Sequence, residues 1–135
     1  MEQIQRLKGH IEIYGYGFFA VERKDNGKFI GFTGLAHPGF EAEFTPCVEI
    51  GWRLSKENWG FGFASEAAMA CLDFGFRDLG IDEIYSFTSI RNTRSEKVMQ
   101  RIGMTLEGYF DHPVIEDGHF LKKHILYKIS QPGQR

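Results

Sequence analysis

Residues 57–67, "ENWGFGFASEA", set small residues at every second position, Gly60, Gly62 and Ala64, just ahead of a run with helical spacing. Several kinds of site use a glycine-rich turn in this place. A Walker-type phosphate loop needs a lysine and then a serine or threonine after its glycines, to reach the β and γ phosphates and the magnesium. No such lysine follows. A dinucleotide fold needs a third glycine where Ser65 stands, and an acid about 20 residues on, at the far end of the second strand. Asp82 and Glu83 have the spacing but open their strand instead of closing it. The remaining site is a turn whose successive backbone N–H groups, at a helix N-terminus, wrap a pyrophosphate without a lysine. Small residues at 60, 62 and 64 then keep side chains out of the path of the phosphate oxygens. A close-packed strand-to-helix connection would use the same residues, and the turn alone does not separate the two.

Working outward, "SEAAMACLDFGFRDLG" is alanine-rich with helical spacing, and Gly80 marks its stop. Upstream, "CVEIGWRLS" alternates as a strand: Val48, Ile50, Trp52 and Leu54 on one face, Glu49, Gly51 and Arg53 on the other. "FFAVER" and "KFIGFTGLA" flank "KDNGK", and Asn-Gly between apolar runs predicts a hairpin on a type I′ turn. Ile4, Leu7, Ile11 and Ile13 suggest a short amphipathic helix stopped by Gly15 and Gly17. Downstream, "IDEIYSFTSI" reads as a strand and "NTRSEKVMQRIG" as a capped helix. "TLEGYFDHP" and "HFLKKHILYKIS" read as closing strands around "VIEDG", and "QPGQR" as a frayed tail.

The 135 residues suit one domain, 1–135, since domains usually run to about 100–200. Thirteen phenylalanines within a 42% hydrophobic composition supply a core and argue against disorder. A net charge of −2 gives no electrostatic footprint for nucleic acid or an anionic membrane, so an anionic ligand must be gripped locally. Cys47 and Cys71 lack metal-ligand spacing, and neither is expected in a disulfide. With no apolar run of spanning length and no signal-peptide core, the expected compartment is the cytoplasm.

The order of hairpin, "VEIGWRLS", "NWGFGFASEA", helix, strand and "NTRSEKVMQRIGM" resembles the GNAT acetyltransferases. Within them it is most similar to the branch that includes the ribosomal-protein N-terminal alanine acetyltransferases. The acetyl-CoA loop of that superfamily reads Gln/Arg-x-x-Gly-x-Gly/Ala, and Trp59, Gly62 and Ala64 fill those places. A second motif, Asn-x-x-Ala-x-x-x-Tyr-x-x-x-Gly-Phe, is matched by Asn92, Ser95, Met99, Gly103 and Met104. "GYFDHPVIEDGHFLKKHILYKI" is similar to the branch's ending, so the resemblance runs from about Gly15 to Ile129. It implies an α+β fold of three layers, α/β/α, around a mixed, mostly antiparallel sheet.

It also implies direct transfer of acetyl from acetyl-CoA to a primary amine, on a protein N-terminus or a small molecule, without a metal. The amides of Gly60, Phe61, Gly62, Phe63, Ala64 and Ser65, with Trp59, would hold the pyrophosphate. Trp52, Arg53 and Leu54 would pair with the pantetheine amides as though with another strand. Glu49, on the open face of that strand, would accept the amine's proton through water, or is a plain sheet carboxylate. Asn92 would bond the pantetheine arm, or simply cap its helix. Met99 stands where many members carry the tyrosine that protonates the leaving thiolate; Ser95, one turn earlier, is the candidate in its place, or a hydroxyl serving local backbone. Arg91, Arg94 and Lys97 are candidates for the adenosine 3′-phosphate, or form a solvated basic face. His112 and His124 are expected to be structural. The family's first strand and helix are expected to be missing, leaving an edge strand that a second copy in a homodimer would cover. The rivals are a CoA-holding module without transfer and a nicotinamide-binding protein.

Overall fold

The computed structural model describes residues 4–13 and 16–131, with side chains from residue 19 onward. The tail from residue 132 and Gly15 lie outside that range, whereas Gly17, expected to stop a helix, lies within a strand. The described chain forms two compact units: one runs to Ala36 and takes in Ile50–Gly80, the other holds His37–Glu49 and the chain from Ile81 on.

In the first unit β1 (Ile4–Ile13), β2 (Tyr16–Arg23) and β3 (Phe29–Ala36) form an antiparallel meander, and β4 (Glu49–Leu54), which belongs to this unit from Ile50 on, lies next to β3. The amphipathic helix expected over Ile4 to Ile13 is therefore a strand. Its pairing with β2 slips between Ile4 and Leu7 and again between Lys8 and His10. Each bulge adds a residue, so apolar positions spaced by three and four imitate a helical period.

The hairpin is present, on a wider turn than expected. Arg23 N–H donates to Lys28 O (3.0 Å) and Gly27 N–H to Arg23 O (2.9 Å), which closes a loop over residues 24–27. Asn26 Oδ1 accepts from Lys28 N–H (2.9 Å), and Gly27 carries a left-handed φ of +69°. The side-chain acceptor draws the Asn-Gly pair to the loop's end instead of its centre.

A short 3₁₀ turn, Lys56–Asn58, follows β4 and leads to α1 (Phe63–Arg77). Helix α1 turns Phe63 and Ala67 onto Val21 and Ile30, with Leu54 packed against the cluster. Cys71 is fully buried on the same helix. After α1, Gly80 takes a φ of +66°, the left-handed stop its position implied.

The second unit orders β5 (Glu83–Ser89), β7 (Lys123–Ser130) and β6 (Thr105–Asp111) side by side, all antiparallel, with α2 (Thr93–Arg101) against β5. β7 begins four residues later than the sequence pattern suggests. Lys122 N–H donates to His119 O (3.1 Å) and Leu121 N–H to His119 Nδ1 (3.1 Å), so "HFLK" is a turn. Tyr127 on β7 donates to Glu96 Oε2 (2.8 Å) and accepts from Gln100 Nε2 (3.0 Å), pinning α2 to the strand. Phe40 and Phe44, from the loop before β4, join Phe87, Phe110, His112 and His124 in an aromatic cluster. Glu49 pairs in parallel with Tyr85, whose N–H donates to Val48 O (2.9 Å). Pairing is thus mixed and mostly antiparallel, an α+β fold.

Candidate functional site

β4 ends at Leu54, the 3₁₀ turn carries the chain to Trp59, and the glycine turn delivers it to α1. Gly60 and Gly62 take φ of +87° and +83°, in the left-handed region that L side chains avoid. A Cβ built on either would meet nothing within 4 Å. Close packing therefore does not explain these glycines. Backbone conformation demands them, and the space beside them is open.

Gly62 is the N-cap of α1 and makes no side-chain cap bond. The first-turn amides of Phe63, Ala64 and Ser65 lie at the helix's positive end, where orphan N–H groups and the macrodipole attract an anion. Ser65 Oγ is the buried side-chain polar atom that lacks a hydrogen-bond partner among the described residues. An unpaired hydroxyl within the first helical turn suits an acceptor-rich group such as a phosphate. Trp59 reaches back, its Nε1–H donating to Leu54 O (3.0 Å), so the indole braces the turn against β4. Phe61 is exposed and stacks on buried Phe63, centroids 5.5 Å apart.

On β4, Trp52 and Leu54 are half-buried and Arg53 is exposed. Glu49 opens the strand half-buried, and desolvation pushes its carboxyl from 4.5 up to about 7. A group with that value exchanges a proton near neutrality, which is what a general base at working pH requires. Neighbouring Cys47 is pushed to about 11 by burial, with the Glu49 charge adding to it, so its thiolate is suppressed.

In the second unit Asn92 is the N-cap of α2, and its Oδ1 accepts from Ser95 N–H (3.1 Å). That bond commits the carboxamide oxygen to the helix and leaves the amide N–H groups to donate elsewhere. Ser95 is half-buried in the first turn, while Met99, one turn on, is 1% exposed and offers no proton. Arg91 donates to Phe120 O (3.3 Å) and lies over the Phe120 ring at 5.1 Å, holding the β6–β7 loop. His112 and His124 meet ring to ring, centroids 5.0 Å apart. Burial lowers the pKa of both, most simply by disfavouring the charged ring. No group of three or more metal-ligating side chains occurs among the described residues.

Two residues absent from the sequence reading belong to this region. Arg23 donates to Asn58 Oδ1 (3.2 Å), and Asn58, 8% exposed, donates to Ser55 Oγ (2.7 Å). Thirty-five residues separate Arg23 from Asn58, and no local pattern signals such a contact.

The family model for the acetyltransferase (GNAT) domain matches residues 2–105. The N-acetyltransferase p20 of Bacillus licheniformis, itself uncharacterised, is 38% identical over 90 residues, covering 67% of this chain and 49% of p20. A GNAT-family acetyltransferase from Bacillus anthracis is 30% identical, with a TM-score of 0.69 over 84% of this chain and 66% of that one. The ribosomal-protein-S5-alanine acetyltransferase of Vibrio fischeri shares the fold, with a TM-score of 0.72 at 22% identity over 89% of this chain and 64% of that one. The chain spans about half the length of curated relatives it matches. A sheet whose strand runs through a lysine-free glycine turn into an uncapped helix, and a family match over residues 2–105, agree: this chain belongs to the GNAT acetyltransferases.

Proposed function

We propose that the chain binds acetyl-CoA at the glycine turn and transfers the acetyl group to a primary amine, in the cytoplasm. The observation that carries this reading is the pair of left-handed glycines with open space beside them, running into a helix N-terminus that no side chain caps. Relatives named as N-acetyltransferases support the reaction.

Amides of residues 60–65 hold the pyrophosphate, with Trp59 bracing the turn. Backbone groups of Trp52 to Leu54 receive the pantetheine arm, and one N–H there polarises the thioester carbonyl. The bound donor supplies an activated acyl group. Glu49 takes a proton from the acceptor's ammonium through water, and the neutral amine so freed attacks the carbonyl; the raised value of about 7 suits that transfer to neutral pH. Ser95 is the proton source for the departing thiolate, and the Asn92 amide donates to the arm. The acceptor is a protein N-terminus or a small-molecule amine.

Calorimetric titration with acetyl-CoA, with NAD as control, is followed by a thiol-release assay over a panel of amines. Acetyl-CoA binding with amine-dependent thiol release is the expected result. Binding without release would leave a CoA-holding module, and affinity for NAD alone would sink the reading. Gly62→Ala adds the sharper check: a left-handed alanine costs roughly 1–2 kcal/mol of stability. Its methyl enters the open side of the turn, so acetyl-CoA affinity should fall at least about tenfold, out of proportion to the melting shift.

A further inference from the structure

We infer that Arg23, at the end of β2, is a positioning residue for the glycine turn and sets the affinity for a pyrophosphate-bearing donor without touching it. The inference rests on the donor site proposed above. A turn containing two left-handed glycines is intrinsically loose, because glycine loses more conformational freedom on ordering than any other residue. Something must hold Phe61 between them.

Arg23 reaches both ends of the turn. At the near end its Nη1 donates to Asn58 Oδ1 (3.2 Å). At the far end its guanidinium lies 5.4 Å from the Phe61 ring centroid and 5.0 Å from that of Phe63. Those two rings are stacked within 24° of parallel and straddle Gly62. Arg23 is itself fixed by a fork to Asp25, Nε to Oδ1 at 3.0 Å and Nη2 to Oδ2 at 2.7 Å. The carboxylate meets the charge, which leaves the planar group to act as a brace instead of a phosphate ligand. The end of β2 thus clamps the turn from outside, and a turn ordered in advance loses less entropy when the donor arrives.

Arg23→Gln tests this in the full chain, read against acetyl-CoA and S-acetylpantetheine, a donor that lacks the pyrophosphate. Two cation–π contacts and one hydrogen bond hold the turn, and the part of their loss that reaches binding corresponds to about a tenfold change. CoA affinity should weaken by about that factor, KM for acetyl-CoA should rise alike with kcat unchanged, and kcat/KM for S-acetylpantetheine should not move. Amide hydrogen exchange over residues 59–63 of the ligand-free chain should accelerate. Unchanged CoA affinity, or an equal loss with both donors, overturns the inference. Should Arg23→Gln fail to fold, Arg23→Lys carries the same comparison, since it keeps a cation but cannot fork to Asp25 and reach Asn58 together. A wild-type chain that binds no CoA removes the proposed function and this inference with it; silent variants of a chain that does bind remove the inference alone.

Discussion

At the residue scale, Glu49 offers the clearest quantitative handle. Its carboxyl ionises at about 7, so between about 4.5 and 7 the folded chain holds a proton that the unfolded chain has released. Folding stability therefore declines as pH rises across that window. Glu49→Gln has no such proton to lose. Its unfolding free energy should match wild type at pH 4 and exceed it by on the order of 2 kcal/mol at pH 8, read by denaturant melts. Activity should move the other way. In wild type kcat/KM should climb through about pH 7 as the carboxylate forms, whereas Glu49→Gln should lose about a hundredfold and that limb of the profile, with acetyl-CoA affinity intact. The residue was legible as an alternating outward position on a strand, but its proton affinity was not. Desolvation depends on what the fold lays over a side chain, and one-dimensional spacing carries none of that. The glycines of the turn were legible for the opposite reason, since left-handed backbone restricts the residue type directly.

At the element scale, one close contact in each unit sets how firmly its strands and helix are held. β3 and β4 approach so closely at Gly31 that a Cβ there would overlap the Arg53 carbonyl oxygen and lie 2.8 Å from Leu54 Cα. Both obstacles are backbone and cannot rotate away. Gly31→Ala should destabilise by about 3 kcal/mol in chemical denaturation and displace the strand that leads into the turn. Tyr127→Phe is the milder counterpart: it strips Glu96 and Gln100 of their shared partner and should cost about 1–2 kcal/mol while far-UV circular dichroism stays unchanged. Most element types were readable, because α1, α2, β4 and β5 keep an uninterrupted period and end on left-handed glycines or an N-cap. Those misread had a broken period. Bulges disguised β1, and side-chain acceptors on Asn26 and His119 moved the hairpin turn and the start of β7.

For the molecule as a whole, ligand linkage supplies the simplest prediction. Acetyl-CoA bound only by the folded state at a hundred times its Kd should stabilise the chain by about 2.7 kcal/mol, a rise of several degrees in Tm that NAD does not produce. Absence of any shift by differential scanning fluorimetry would count against a donor site. Composition foretold a phenylalanine-rich core and was right only in part. Phe63 and Phe76 are buried, whereas Phe29, Phe32, Phe61 and Phe120 are 45–61% exposed. Counting rings cannot say which face of a strand or loop each one takes, and Phe61 shows that an exposed ring can still be braced, here under the Arg23 guanidinium. The division into two units was equally hidden, since it cuts between Glu49 and Ile50, within a single strand.

The turn from Glu57 to Glu66 contains no lysine. Free thioester donor in excess slowly acylates exposed lysine amines, and a phosphate grip built on an ammonium would lose its charge to that side reaction. Peptide amides are not nucleophiles and carry no charge to lose. A cradle made of main chain, as proposed for residues 60–65, would be immune to such acylation and should keep its grip through repeated turnover in the presence of excess donor.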